Sequence, residues 1–405
     1  MRCALPPARG STVEDAHEDR SRTGRHRGDA RSASARPGHG RQPVSRAVPS
    51  STPDVPDGKP VDGMRWHRAL PGRGLTFPPR ASGDPLDVDD TGTGEPAGPR
   101  WAEKEDRMGQ DQFRQQDPVA QYSAPGSGDR TVEHPGRTAD LDVWPDHGER
   151  TYRGTGRLEG KKAVVTGGDS GIGRAVAIAF AREGADVVVT HLEAEADDAA
   201  ETASWVREAG RRAVTVPADV RREETCRDIV HRTVDALGGI DVLVSNAAYQ
   251  MSQDEGLDDI TTEQFDRVMK TNVYALFWLA KAAVPHMRPG ASIIASSSVQ
   301  AFQPSVHLLD YAASKAAVAN MVQGLGHNLI GRGIRVNAVA PGPVWTPLIP
   351  ATMDEKKLES FGAQAPMGRA AQPAELAPFY VFLASQESSY MTSEVVGVTG
   401  GAPIT

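Results

Sequence analysis

The chain has 405 residues, a formal net charge of −8, 39% hydrophobic residues, 41 glycines and 30 prolines. Its 2 cysteines, Cys3 and Cys226, exclude a disulfide framework and a clustered-cysteine metal centre. No apolar run approaches the roughly 20 residues of a membrane span, and no signal-peptide core stands near Met1, so a soluble, cytoplasmic protein is expected.

Residues 1–107 are rich in Arg, Pro, Gly, Ser and Asp and show no sustained apolar periodicity. Such a segment buries too little surface to offset chain entropy, and a disordered N-terminal tail is expected. Its first 50 residues hold ten Arg against five Asp plus Glu. Acidic residues are mixed in and aromatic residues are not interleaved, so nucleic-acid binding is not expected. Met64 and Met108 offer alternative translation starts, which would leave the tail partly or wholly unmade. Residues 108–157 remain polar and turn-rich and read as an extended arm, with Trp144 and Tyr152 as anchors. The remainder, 158–405, reads as a single domain.

That domain opens with an apolar run, Ala163-Val164-Val165, which stops at Thr166. Three spaced glycines come next, Gly167, Gly171 and Gly173. Ile172, Val176, Ala179 and Phe180 then recur at i, i+4, i+7 and i+8, one face of a helix. Strand, glycine turn and helix in this order form the context of a dinucleotide-binding motif: glycine admits a tight turn and a close pyrophosphate, and the helix N-terminus offers unpaired N–H groups. A glycine turn alone is weak evidence, since a flexible connection can look the same, so the reading depends on the residues downstream of it.

Further strands are expected at Asp186–His191, Ala213–Pro217, Ile240–Val244, Ser292–Ala295, Ile334–Val339 and Val395–Val398. Helices are expected over 195–209, 222–237, 265–287, from about Leu309, and over 375–384. In the helix after Leu309, Val318, Met321, Val322, Leu325 and Leu329 define an apolar face. Strands alternating with helices predict an α/β fold with a seven-stranded parallel sheet, doubly wound, whose ligand sits beyond the carboxyl ends of the strands.

Ser298, Tyr311 and Lys315 carry the chemistry. Tyr311 and Lys315 stand four apart on a helix and share a face. A phenol titrates near pH 10, and a neighbouring ammonium lowers that value, which would let Tyr311 exchange a proton near neutrality. Ser298, after the fifth strand, is placed to hydrogen-bond a carbonyl or alcohol oxygen. Taken alone, a Tyr-x-x-x-Lys pair is more often a surface pair; the glycine turn, the upstream Ser298 and Asn246-Ala247-Ala248 after the fourth strand give it context.

With Gln116-Asp117-Pro118, Thr151-Tyr152, Asp310-Tyr-Ala-Ala-Ser-Lys315, Pro341-Gly-Pro-Val-Trp-Thr346 and Gln372-Pro-Ala-Glu-Leu-Ala377, residues from about 112 to 405 resemble the short-chain dehydrogenase/reductase family. The likeness is greatest to its general-stress oxidoreductases and aldehyde reductases. The resemblance implies a Rossmann-type domain, a homotetramer, and hydride transfer between NADP or NAD and a small carbonyl/alcohol pair. It assigns Gly167, Gly171, Ile172 and Gly173 to the phosphate turn, Asp219 and Val220 to adenine, and Asn246 and Ala247 to the adenine-side ribose. Tyr311 and Lys315 would also hold the nicotinamide ribose, beside the loop residues Pro341, Gly342, Val344 and Thr346. Asn272 is the family's catalytic asparagine, which would hold a proton-relaying water, and Tyr311 is the general acid in reduction.

The chain departs from the family where the adenine-side ribose is read. His191 stands where NAD-preferring members place an acid. Ser170 and Leu192 stand where NADP-preferring members offer a cation. Asp169 adds negative charge. A lone histidine at a strand end reads as a solvated structural residue, and the subgroup alone tilts the expectation slightly to NADP. Tyr249, Gln250, Gln300, Phe302, Gln303, His307 and Trp345 are candidate pocket residues, without a charged group poised for an anionic substrate. A glucose-type sugar dehydrogenase and a non-catalytic redox sensor are the alternatives; the proton-donating set speaks against the sensor.

Overall fold

A computed structural model describes residues 112–122 and 130–404 of the chain. The expected disordered tail over 1–107, Met64, Met108 and Cys3 lie outside the described residues. Valine-rich runs without polar alternation form the strands, as a parallel sheet buried on both faces requires. In chain order the elements are β1 (Lys162–Thr166), α1 (Gly171–Arg182), β2 (Asp186–His191), α2 (Ala196–Glu208), β3 (Ala213–Pro217), α3 (Glu223–Leu237) and β4 (Ile240–Ser245). They continue with α4 (Thr262–Met269), α5 (Ala275–Ala283), β5 (Met287–Ser296), α6 (Leu309–Leu329), β6 (Arg335–Pro341), α7 (Glu355–Glu359), α8 (Pro373–Ala384) and β7 (Val395–Val398).

All strand pairings are parallel, in the order β3-β2-β1-β4-β5-β6-β7. The chain therefore winds outward from β1 in one direction and, after β3, in the other. The reversal leaves a crevice beyond the carboxyl ends of β1 and β4, where such sheets bind ligands. On one face, Val176 and Phe180 of α1 and Leu376 and Val381 of α8 bury against Val165, Val187 and Val189. On the other, Ile229, Leu276, Leu279 and Val322 cover Val164, Leu243 and Ile293. Each such buried side chain contributes roughly 1.5–3 kcal/mol of transfer free energy.

Two local expectations are corrected. The helix read over 265–287 is divided: α4 passes through a π-helical turn, Lys270–Tyr274, into α5, and a 3₁₀ turn at Val284–His286 ends it. Pro285 enters that 3₁₀ turn at its second residue, where a missing N–H costs little. The fifth strand starts at Met287 rather than Ser292, because Met287 already pairs with Ile240 before the register shifts to Val242–Ser292. In the arm, Tyr152 is buried and its hydroxyl donates to Glu183 at 2.7 Å. Trp144 stays exposed, while the neighbouring Val143 carbonyl accepts the Trp345 indole N–H at 2.8 Å. No helix among the described residues is long and apolar enough to cross a membrane.

Candidate active site

The glycine turn needs its glycines for two different reasons. Gly167 (φ +60°) and Gly171 (φ +49°) occupy left-handed backbone that other residues rarely adopt. Gly173 instead permits close packing, since a Cβ there would lie 1.8 Å from the Gly167 carbonyl oxygen and 2.8 Å from Asn246 Nδ2. Ser170, the N-cap of α1, makes no capping hydrogen bond, so the first N–H groups of that helix are left to a ligand. They open on a cavity of about 750 Å³ lined by the ends of β1, β4, β5 and β6. An uncapped helix N-terminus behind a glycine turn fits a dinucleotide's phosphates.

The residues expected to take adenosine, Asp169, Ser170, Ile172, His191, Asp219 and Val220, line one end of the cavity, with Asn246 and Ala247 beside them. Asn246 ties the turn to the sheet: its Nδ2 donates to Thr166 O at 3.2 Å and Gly167 O at 3.1 Å, and its Oδ1 accepts from Ser296 Oγ at 2.9 Å. Gly173 serves the site by packing and does not line the cavity. His191 is buried, not solvated, and its Nδ1 lies 2.8 Å from Leu192 O. Asp219 is engaged by Arg221 and held below the usual carboxylate range chiefly by that bond.

One acid at this end was not anticipated from the residues. Glu195 lines the cavity and its Oε2 accepts the Leu192 N–H at 2.8 Å. Burial raises the carboxyls of both Asp169 and Glu195, and the Asp169 charge adds to the rise at Glu195. The Arg174 guanidinium is buried and already serves Asp169 O (2.7 Å), Asp198 (3.3 Å) and Glu201 (3.2 Å).

At the opposite end, Pro341, Gly342, Val344 and Thr346 line the cavity as expected. Tyr249, Gln250, Gln300, Gln303 and His307 line it too, whereas Phe302 and Trp345 do not. Trp345 is fully buried behind the loop, its N–H committed to Val143. His134, Arg267 and Lys357 complete the wall. His134 comes from the arm, over a hundred residues from the groups it faces, and carried no periodicity to mark it.

Ser298, Tyr311 and Lys315 line this same cavity. Ser298 is within hydrogen-bonding contact of the Tyr311 phenol. Lys315 is buried, its Nζ donating to Ser296 O at 2.7 Å and lying 5.4 Å from the Tyr311 ring centroid. Burial pushes Tyr311 up to about 12, with the Ser298 hydrogen bond opposing, and drops Lys315 to about 7. The expectation that Lys315 lowers the phenol is therefore corrected: an ammonium desolvated without a carboxylate partner loses its own charge before it stabilises a phenolate. A tyrosine that keeps its proton at neutral pH suits a donor.

Asn272 sits in the π turn, Lys270–Tyr274. Its Oδ1 accepts the Tyr249 N–H at 2.8 Å, and its Nδ2 donates to Tyr249 O and to Ser314 Oγ, each at 2.9 Å. The side-chain amide thus holds the segment after β4.

The chain is similar to known proteins. The family model described as "Enoyl-(Acyl carrier protein) reductase" matches residues 167–403. An oxidoreductase of Escherichia coli K12, YghA, of uncharacterised activity, is 51% identical over 286 residues, covering 70% of this chain and 97% of its own. NADPH-dependent aldehyde reductase 1 of Arabidopsis thaliana is 42% identical over 276 residues, covering 67% and 96%. A short-chain dehydrogenase of Burkholderia cenocepacia, crystallised with NADP, superposes with a TM-score of 0.57 at 33% identity, covering 60% of this chain and 98% of its own. The chain belongs to the short-chain dehydrogenase/reductase family of NAD(P)-dependent oxidoreductases.

Proposed function

We propose that the protein reduces small aldehydes or ketones to alcohols, or runs the reverse oxidation, with Tyr311 as general acid or base. The observation that carries this reading is the meeting of Ser298, Tyr311 and Lys315 in the same cavity as the uncapped N-terminus of α1. The nicotinamide group supplies or accepts the hydride when bound. In reduction, the Tyr311 hydroxyl passes its proton to the carbonyl oxygen, which the Ser298 hydroxyl orients. Lys315 adjoins the phenol and supplies cationic character when protonated. Asn272 keeps Tyr249 at the cavity wall. Residues 158–405 act as the catalytic domain, with 108–157 as an arm.

The cofactor is NADP or NAD. The Arabidopsis and Burkholderia relatives speak for NADP, while Asp169 and Glu195 oppose a 2′-phosphate. We further propose a homotetramer, supported by the exposed Phe265, Tyr274 and Phe277 on α4, the π turn and α5; light scattering giving a monomer would refute it.

The test is nicotinamide absorbance with a panel of aldehydes and ketones, comparing wild type and Tyr311→Phe. General acid–base catalysis is worth roughly 10²–10⁴-fold, so turnover should collapse by that factor while dinucleotide affinity stays within a few fold. Equal turnover by the two proteins would end the proton-donor assignment.

A further inference from the structure

Residues 132–138 of the arm connect the two ends of the cavity. At the adenosine end, the Thr138 N–H donates to Asp198 Oδ2 at 2.8 Å, a buried bond to the first turn of α2. At the other end, the Val132 N–H donates to Pro350 O at 3.1 Å. Gly136 packs directly on the same loop: its φ is +80°, and a Cβ there would meet Pro347 O at 2.6 Å and Ala351 Cβ at 2.9 Å. Asp169 and Glu195 on one side, and Thr346 and Pro347 on the other, line a single cavity. A segment fastened at both places therefore bridges it.

The inner side of the bridge faces the ligand space. His134 and Pro135 line the cavity. The His134 ring stands edge-on to Tyr249, centroids 5.1 Å apart, and makes no hydrogen bond among the described residues. Burial and the nearby Arg267 lower its pKa, leaving a neutral imidazole turned to whatever occupies the cavity. Further along, Asp146 N donates to Gln372 Oε1 at 2.9 Å, and Val143 O receives the Trp345 N–H. The arm is thus sewn to the loop that follows β6 on its outer side as well.

We propose that residues 132–138 are a strap over the dinucleotide cleft, and that bound cofactor leaves only when the Thr138–Asp198 and Gly136–Pro347 anchors part. This rests on the reading that the cavity holds a nicotinamide dinucleotide. The strap is a cofactor-retaining element supplied from outside the strand–turn–helix motif, and it acts on residence time rather than on the chemical step.

Stopped-flow nicotinamide fluorescence on the full chain tests it, following displacement of bound NADH and NADPH. Thr138→Pro deletes the N–H that reaches Asp198, together with a buried hydroxyl that has no hydrogen-bond partner among the described residues, at the first residue of a 3₁₀ turn where proline fits. Gly136→Val forces the chain off Pro347. A hydrogen bond to a charged acceptor is lost or a close contact broken, so each variant should release cofactor about tenfold faster. In Gly136→Val, tryptic cleavage after Arg137 should accelerate in parallel; in Thr138→Pro the bond becomes Arg–Pro, which trypsin does not cut, so that variant is read by release alone. A wild-type release rate in Gly136→Val whose Arg137 is cleaved faster would overturn the strap, as would wild-type release in both variants. If the wild type bound neither dinucleotide, the cofactor reading would fail first, and the strap with it.

Discussion

Asn272 and Tyr249 exchange two hydrogen bonds, Tyr249 N–H to Asn272 Oδ1 at 2.8 Å and Asn272 Nδ2 to Tyr249 O at 2.9 Å. An amide side chain here does the work of a neighbouring strand, satisfying both backbone groups of a buried residue just past the end of β4. Asn272→Ala would orphan both groups, while the Ser314 hydroxyl would keep its bond to Tyr311 O at 2.7 Å. Buried polar groups left unpaired cost about 1–3 kcal/mol each before relaxation, so urea denaturation should show a loss of roughly 2–4 kcal/mol. Asn272→Asp keeps the acceptor and should lose less. A stability change in the alanine variant below about 0.5 kcal/mol would show that Tyr249 is held by other means.

Lys315 gives the cofactor-free protein a distinctive alkaline response. Its folded pKa lies at about 7 through burial, against about 10.4 in an unfolded chain. Between those values the unfolded state binds the extra proton, so stability rises with pH across that window and is lost as pH falls toward 7. One proton is worth about 1.4 kcal/mol per pH unit at most. Thermal melts of wild type should therefore rise more steeply from pH 7 to pH 10 than those of Lys315→Met, which removes the titrating group. Parallel curves would refute the buried, partner-poor lysine.

Glu183 joins the arm to the end of α1. Its buried carboxylate accepts from Tyr152 Oη at 2.7 Å, from Arg157 Nη2 at 2.6 Å, and from the N–H groups of Thr155 and Arg157 at 2.9 and 3.0 Å. Burial alone would raise this acid; the bonds from Arg157, Tyr152 and the backbone outweigh it and hold it at about 2. A depressed acid contributes stability above its unfolded value, near 4.3, that is lost as pH falls through 2. Glu183→Gln should cost about 3 kcal/mol at pH 7 by breaking a buried pair, and should flatten the acid limb of the stability curve. Equal denaturation midpoints at pH 7 would show the cluster to be dispensable.

What the residues disclosed in advance and what they withheld divides along chain distance. The glycine turn, the Tyr311/Lys315 spacing and the valine-rich strands are local signals, because each needs only a few neighbours to express its geometry. The direction of the Tyr311 shift was misjudged because it depends on how deeply Lys315 is buried, a property of the whole packed fold. The π turn at Lys270–Tyr274 is five residues long, too short for a periodicity to mark it. His134 reaches Tyr249, and Thr138 reaches Asp198, across 115 and 60 positions of chain. Nothing in a polar arm announces such partners.

Glu195 is the residue through which charge at the adenosine end should act on cofactor choice. It lines the cavity four residues past His191, the position where the family more usually carries its acid, and its Oε2 also caps Leu192 N–H. Glutamine can keep that cap through its own Oε1, so Glu195→Gln removes charge without removing the bond. Burial, aided by Asp169, raises the Glu195 carboxyl, so its ionisation is displaced upward from the ordinary range near 4.3. A 2′-phosphate is nearly fully ionised above pH 7, its second pKa being about 6. Rising pH between 7 and 9 therefore changes the protein's charge and hardly the ligand's. NADPH affinity should weaken across that interval, by about tenfold for like charges brought within a few ångströms in a partly shielded site, while NADH affinity stays nearly level. In Glu195→Gln the NADPH curve should flatten toward that of NADH. Fluorescence titration of both dinucleotides at pH 7 and pH 9 measures all four cases. If the NADPH-to-NADH affinity ratio moves identically with pH in the two proteins, Glu195 does not face the 2′ position, and the acid that opposes the phosphate would be Asp169.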